Sequence, residues 1–179
     1  MKTAIKTLIA STLTAIVLTS SAFTTIAKEK SPMEMAATLQ FNKIVVTGNA
    51  KVILVQGNKE GIRSYDTIEE MNTTVKQKGY TLYINSTDNS TIYVQVKDLQ
   101  RIDVANTASV KTSGKFDLAV LQIFLKDEAK ANVNAKVASL YTNMSDESDL
   151  KLAGSSIEHQ LVRNGVSKLN LNDFVIAKL

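Results

Sequence analysis

From Phe41 onward, apolar residues recur at every second position: Ile44 and Val46, Val52 and Leu54, Leu82 and Ile84, Ile92 to Val96, Ile102 and Val104, Leu121 to Leu125. The same beat returns at Leu150/Leu152 and Leu169/Leu171. Successive side chains of a strand point to opposite faces, so period two predicts strands with one face buried. Between them stand Gly48-Asn49, Gly57-Asn58, residues 85–90, residues 106–109 and Asn164-Gly165, residue types that accept turn and left-handed backbone angles. Thr67 to Lys78 breaks the pattern, because Ile68, Met71 and Val75 lie at helical spacing. The β-branched run Thr73-Thr74-Val75 argues for extended chain, and the segment is read as mostly strand.

A longer period overlies the short one. Leu99-x-x-Ile102-x-Val104, Leu118-x-x-Leu121-x-Ile123, Val137-x-x-Leu140-x-Thr142 and Ile157-x-x-x-Leu161-Val162 start 19, 19 and 20 residues apart. Each unit carries a second strand-like pair: Ala108/Val110, Ala131/Val133, Leu150/Leu152 and Leu169/Leu171. A unit that short cannot bury its own apolar face, whereas units stacked at the ~4.8 Å strand spacing pair their backbone groups with the unit above and below. A fixed period near 20 therefore predicts a β-solenoid in place of an antiparallel sandwich. The irregular region from Phe41 to Lys97 is expected to cap one end. The other end runs out in the apolar segment Asn172 to Leu179, so poor capping, or coverage by another molecule, is expected there.

The string Phe41-x-x-Ile44-x-Val46-x-Gly48-x-Ala50-x-Val52-x-Leu54-x-Gln56-Gly57, followed by Gly79-x-x-Leu82-x-Ile84, Ile92-x-Val94-x-Val96 and Leu99-x-x-Ile102-x-Val104, resembles a known family. It is the putative auto-transporter adhesin head GIN domain of envelope proteins of Bacteroidetes and related bacteria. The resemblance covers roughly Leu39 to Leu179. It implies an all-β fold, a right-handed single-stranded parallel β-helix of irregular section, here with rungs of about 19–20 residues and an irregular N-terminal strand region. It also implies export to the periplasm or cell surface, and it brings no catalytic residues with it.

The N-terminus agrees with export. Lys2 and Lys6 precede a largely apolar run from Thr7 to Thr19, and small residues follow, the three-part pattern of a secretory signal peptide. Cleavage is expected after Ala27, with Ala22 the alternative. The apolar run is too short for a spanning helix, which needs ~20 residues. The expected organisation is a signal peptide at 1–27, a linker with the sole proline, Pro32, at 28–39, and one β-helix domain at 40–179. No cysteine is present, so neither a lipid-modified cysteine nor a disulfide is available, and stability must come from packing and backbone pairing.

Composition removes other classes. The chain is 44% hydrophobic and 21% charged, globular values. Without Lys2 and Lys6 its 19 basic and 17 acidic side chains leave a net charge of +2, scattered without a basic stripe, so nucleic-acid binding is not expected. His159 is the only histidine and no Gly-x-Ser-x-Gly elbow, phosphate loop or dinucleotide fingerprint accompanies it, so neither an enzyme nor a cofactor is expected. Asp146, Glu147 and Asp149 offer oxygen ligands of the kind calcium takes, without the twelve-residue loop, and read as a solvated turn. A polysaccharide lyase would need a basic residue clustered with calcium-binding acids, and Arg63, Arg101 and Arg163 share no rung position.

Tyr83 and Tyr93 remain. If Leu82/Ile84 and Ile92/Val94/Val96 point inward, both tyrosines point outward, on strands expected to be neighbours, with Asn85 and Gln95 available to bond sugar hydroxyls. The function expected is an exported, non-enzymatic, adhesin-like module that binds a polysaccharide or an envelope protein. The alternative is a structural module that self-associates through its C-terminal end.

Overall fold

The computed structural model describes residues 33–35, 40–64 and 72–177. The predicted signal peptide with its cleavage points, most of the 28–39 segment, Ile68 and Met71, and the last two residues lie outside them. Thirteen strands form one sheet: β1 Met33–Met35, β2 Lys43–Gly48, β3 Lys51–Gln56, β4 Gly61–Ser64, β5 Thr73–Lys78, β6 Thr81–Ser86, β7 Thr91–Val96, β8 Arg101–Val104, β9 Ser109–Ser113, β10 Phe116–Leu125, β11 Lys130–Met144, β12 Asp149–Arg163 and β13 Lys168–Ile176. Among the described residues there is no helix, and the Thr73–Lys78 part of the ambiguous segment is strand.

The sheet doubles back on itself. One limb runs through β4, β7, β3 and β9 to the first part of β11, and the other returns through β10, β8, β2 and β6 to β5. Ile44, Val46, Val52, Leu54, Ile102 and Ile123 are sealed from solvent, and the inner sides of both limbs share one hydrophobic core. The period-two pattern is the sequence form of that single buried face.

The 19-residue period is the register between successive parallel segments. Leu118 lies over Val137, Gln122 over Tyr141 over Gln160, and Lys130 over Asp149 over Lys168. Two alignments read from the sequence are corrected. Ile102 lies over Ile123, not Leu121, a step of 21 residues. The chain between the paired positions Lys111/Asn132 and Phe116/Ala135 holds two more residues on the earlier side, taken up by a turn at Gly114, whose φ is +82°. At the far end Ser156, not Ile157, lies over Val137, and Ile157 is exposed.

Pairing is not uniformly parallel, another departure from expectation. β5 is antiparallel to β6, β4 to β7, and β1 to β4. The β5–β6 connection is only Gly79-Tyr80, and a link that tight can join only antiparallel strands. β1, Met33–Met35, falls within the 28–39 segment. The expected cap at 41–97 also divides: β2 and β3 lie inside the stack, sandwiched between β6–β7 on one side and β8–β9 on the other, while β1, β4 and β5 close its end.

Each coil turns its corner in the same way. Gly48, Asn106, Asp127, Asp146 and Gly165 have φ between 57° and 74° and succeed one another along the stack. A side-chain oxygen links each of the first four to the next: Asn106 Oδ1 accepts from the Gly48 N–H at 3.1 Å, Asp127 Oδ2 from the Asn106 N–H at 2.9 Å, and Asp146 Oδ2 from the Asp127 N–H at 3.1 Å. The step to the Gly165 turn is a backbone bond from the Val166 N–H to the Asp146 carbonyl. Asn and Asp tolerate the left-handed angle and bring the acceptor that satisfies a neighbouring turn.

Inside the stack, Phe116, Ala135, Gly154 and Phe174 succeed one another, large residues flanking small. Gly154 has φ +103°, and a Cβ there would meet the backbone carbonyl of Ala135. Leu121, Leu140 and His159 form another column, so the histidine occupies an inward position of the last coil. Its Nε2 lies 2.9 Å from the buried Thr142 hydroxyl and its ring meets Phe174 edge-on at 5.8 Å. Partial burial pushes its pKa below the ordinary imidazole value.

Two outcomes are expected. Gly154→Ala, which combines a strained φ with a backbone clash, destabilises the fold by on the order of 3 kcal/mol in urea unfolding. Because folding lowers the His159 pKa, the folded chain binds this proton less well than the unfolded one, whose imidazole titrates near ~6.5. Stability from this residue is therefore whole above that pH and falls as pH drops through it; His159→Gln should flatten the decline between about pH 7 and 5.5.

Candidate functional site

On the second limb, outward residues form two adjacent columns. One runs Tyr83, Val45, Asp103, Phe124, Asn143, and the other Lys43, Arg101, Gln122, Tyr141, Gln160. Neighbouring strands are ~4.8 Å apart, close enough for long side chains on successive coils to meet. The Arg101 guanidinium sits 4.0 Å above the centre of the Phe124 ring. Its Nε donates to both carboxylate oxygens of Asp103, at 2.8 and 3.0 Å. Phe124 and Tyr141 form a tilted pair with ring centres 5.5 Å apart. A cation over an aromatic face is attracted by the ring quadrupole, so Arg101 is held flat by Phe124 and fixed laterally by Asp103.

Beside this cluster lies a groove of about 470 Å³, lined among others by Val45, Arg101, Asp103, Phe124, Lys126 and Asn143. Its size falls in the range of small-ligand sites, roughly 300–1,000 Å³. Arg101 and Asp103 are both only partly exposed, so their attraction is less screened than that of a free surface pair. Lys126 borders the neighbouring turn. The Asp146 carboxyl is held below the usual range first by the Ser145 hydroxyl, then by the Asp127 N–H and the Lys126 charge.

That arrangement shows what the acidic turn does. Asp146 accepts from Ser145 Oγ at 2.7 Å and from the Asp127 N–H, so its oxygens are engaged in the turn ladder. Among the described residues no three His, Asp or Glu side chains gather as metal ligands would. Nor do the arginines converge. Arg101 is level with Gln122, while Arg163 lies over Met144 and donates to the Ser167 carbonyl of its own turn. His159 has Thr142 as its bonded partner and no carboxylate among the described residues.

Tyr83 and Tyr93 do not come together. β6 pairs with β2 and β5, β7 with β3 and β4, and the two strands lie on different limbs. Tyr83 neighbours Val45 and Lys76, with Asn85 accepting from Thr47 Oγ1 at 3.0 Å. Tyr93 neighbours Ile53 and Arg63, and Gln95 packs over Gly57. Consecutive strands are neighbours in a hairpin, but in a coiled stack the link between them turns a corner. Tyr83 does share a column with Phe124, three strands away, or about 14 Å.

Asp103, Phe124 and Tyr141 escaped the sequence reading, and Arg101 entered it only as a lyase base, although each stands at an outward position of the repeat. A uniform step of 19 residues sets Asp103 beside Gln122; the actual 21-residue step sets it beside Phe124.

Residues 40–179 match the family model described as putative auto-transporter adhesin, head GIN domain. No curated protein matches the chain. Among solved structures, a putative lipid binding protein from Parabacteroides distasonis shares the fold at a TM-score of 0.61 and 12% identity, over 80% of this chain and 74% of that one. A putative adhesin from Bacteroides fragilis aligns over 82% of this chain and 98% of its own at 15% identity, with a TM-score of 0.43.

Proposed function

The chain belongs to the putative auto-transporter adhesin, head GIN domain family, and from that premise we propose that it is an exported, adhesin-like binding module of the cell envelope that carries out no chemistry. The finer reading of the fold is a right-handed β-helix, continuous from β8 to β13 and closed at one end by antiparallel strands. The observation that carries the function is the groove beside Arg101, Asp103, Phe124 and Tyr141. It is an outward surface with one aromatic wall, Phe124 backed by Tyr141, and a fixed ion pair, built on strands whose backbones are paired on both sides. Such a surface loses little entropy when it binds. The partner is a polysaccharide or an envelope protein, as the adhesin description of the family suggests.

Beads coated with the chain should adhere to bacterial cells or to mucin-coated glass, and Phe124→Ala should reduce adhesion about tenfold, the loss of one aromatic anchor. Equal adhesion by wild type and a folded Phe124→Ala variant overturns the reading. Fractionation of cells producing the full chain should recover it outside the cytoplasm, and removal of residues 1–27 should abolish that.

A second reading, pairing with another copy, is favoured by the far end of the stack. There β13 and the 158–163 part of β12 lack a strand on their outer side among the described residues, and Leu161, Val166, Val175 and Ile176 are exposed. The opposite end is closed by antiparallel strands, so the association would be a two-fold pair and not a filament. Light scattering over a concentration series should show dimers that Leu161→Lys dissolves; a monomer at every concentration removes this reading.

A further inference from the structure

We infer that the groove beside Phe124 takes an uncharged pyranose of a neutral glycan, an assignment that rests on the binding-module reading and narrows it to one ligand class. The first ground is charge. Arg101, Asp103 and Lys126 are the charged residues that line the groove. Arg101 is matched by Asp103 within hydrogen-bond distance, and Lys126 lies close enough to Asp146 to help hold that carboxyl ionised. A uronate, sulfate or phosphate would have to compete with carboxylates already in place. Partners are selected by complementary potential, and only with Asp146, next to the lining residue Ser145, do the charges at the groove come to two of each sign.

The second ground is the stock of free donors and acceptors. Asp103 engages only the Nε of Arg101, so the four N–H bonds of its two Nη groups have no partner among the described residues. The Asn143 amide, which also lines the groove, likewise has no side-chain bond among the described residues. A sugar hydroxyl both donates and accepts. It can take a hydrogen from Arg101 Nη while giving its own to an Asp103 oxygen, both bonds assisted by charge.

The third ground is shape. The Phe124 ring, tilted against Tyr141, sets an apolar wall beside those polar groups. A pyranose has an apolar C–H face and a rim of hydroxyls, so one ring can meet both. A lipid chain meets only the wall, and covering the Arg101–Asp103 pair with hydrocarbon would strip its water without replacing the bonds.

The test uses the chain on an array of neutral and acidic glycans, followed by titration calorimetry with the best neutral oligosaccharide. Phe124→Ala and Arg101→Ala should each weaken binding tenfold or more. Arg101→Lys, which keeps the charge and loses the forked donors, should weaken it comparably, and Tyr93→Ala on the other limb should leave it unchanged. Affinity should hold between about 0.05 and 0.5 M salt, because no net charge is neutralised. Binding confined to uronate or sulfated glycans that fades with salt overturns the ligand class, as does neutral binding unaffected by Phe124→Ala. If no glycan binds while bead adhesion still depends on Phe124, the neutral-glycan assignment fails and the binding-module reading stands. If neither assay depends on Phe124, both fail.

Discussion

The described sheet depends on the backbone pairing between one strand and the next. A strand segment of three to six residues has no stability alone, and a 19-residue unit cannot enclose a core. Laid beside its neighbours, the same unit pairs its peptide groups and adds its inward side chains to a shared interior. Register then governs chemistry as well as stability, because it decides which outward residues touch. The turn ladder from Gly48 to Asp146 helps hold that register: Asn106, Asp127 and Asp146 each accept from the N–H of the neighbouring turn, so a slip would break several bonds at one corner.

Within that frame the small residues have a clear task. Gly154 lets β12 pass close to the Ala135 carbonyl, and Phe116 and Phe174 flank the narrow positions of the same column. Close packing of this kind rewards alternation of large and small more than hydrophobicity alone. The outer groove has the same origin. Arg101, Asp103 and Phe124 are dispersed in sequence and come together because β8 and β10 are adjacent in the stack.

Much of this was legible from the residues. Ile44/Val46, Ile102/Val104 and Leu121/Ile123 announced one-sided strands, and Leu118, Val137 and the Leu150/Leu169 pairs carried the 19-residue step into register. The family string from Phe41 to Val104 led to the adhesin family. The antiparallel end and the groove were not legible, for two physical reasons. Two extra residues around Gly114 shift the first rung against the others, and nothing local marks a shift that appears only when coils are superposed. Likewise, Tyr83 and Tyr93 sit on consecutive strands with outward alternation, and only the corner at 87–90 sends them to different limbs.

The order in which the coils stack is not their order along the chain. Ile44 pairs with Leu82 on one side and Ile102 on the other, so β2, early in the chain, holds a middle place. Contacts that span nearly sixty residues form late, because a long loop must close before they contribute. During synthesis β6 becomes available to β2 once Ser86 has emerged, but the second edge of β2 stays open until β8 has followed. The middle of the sheet is thereby completed only after the strands on either side of it have been made, which ties its formation to more than half of the chain.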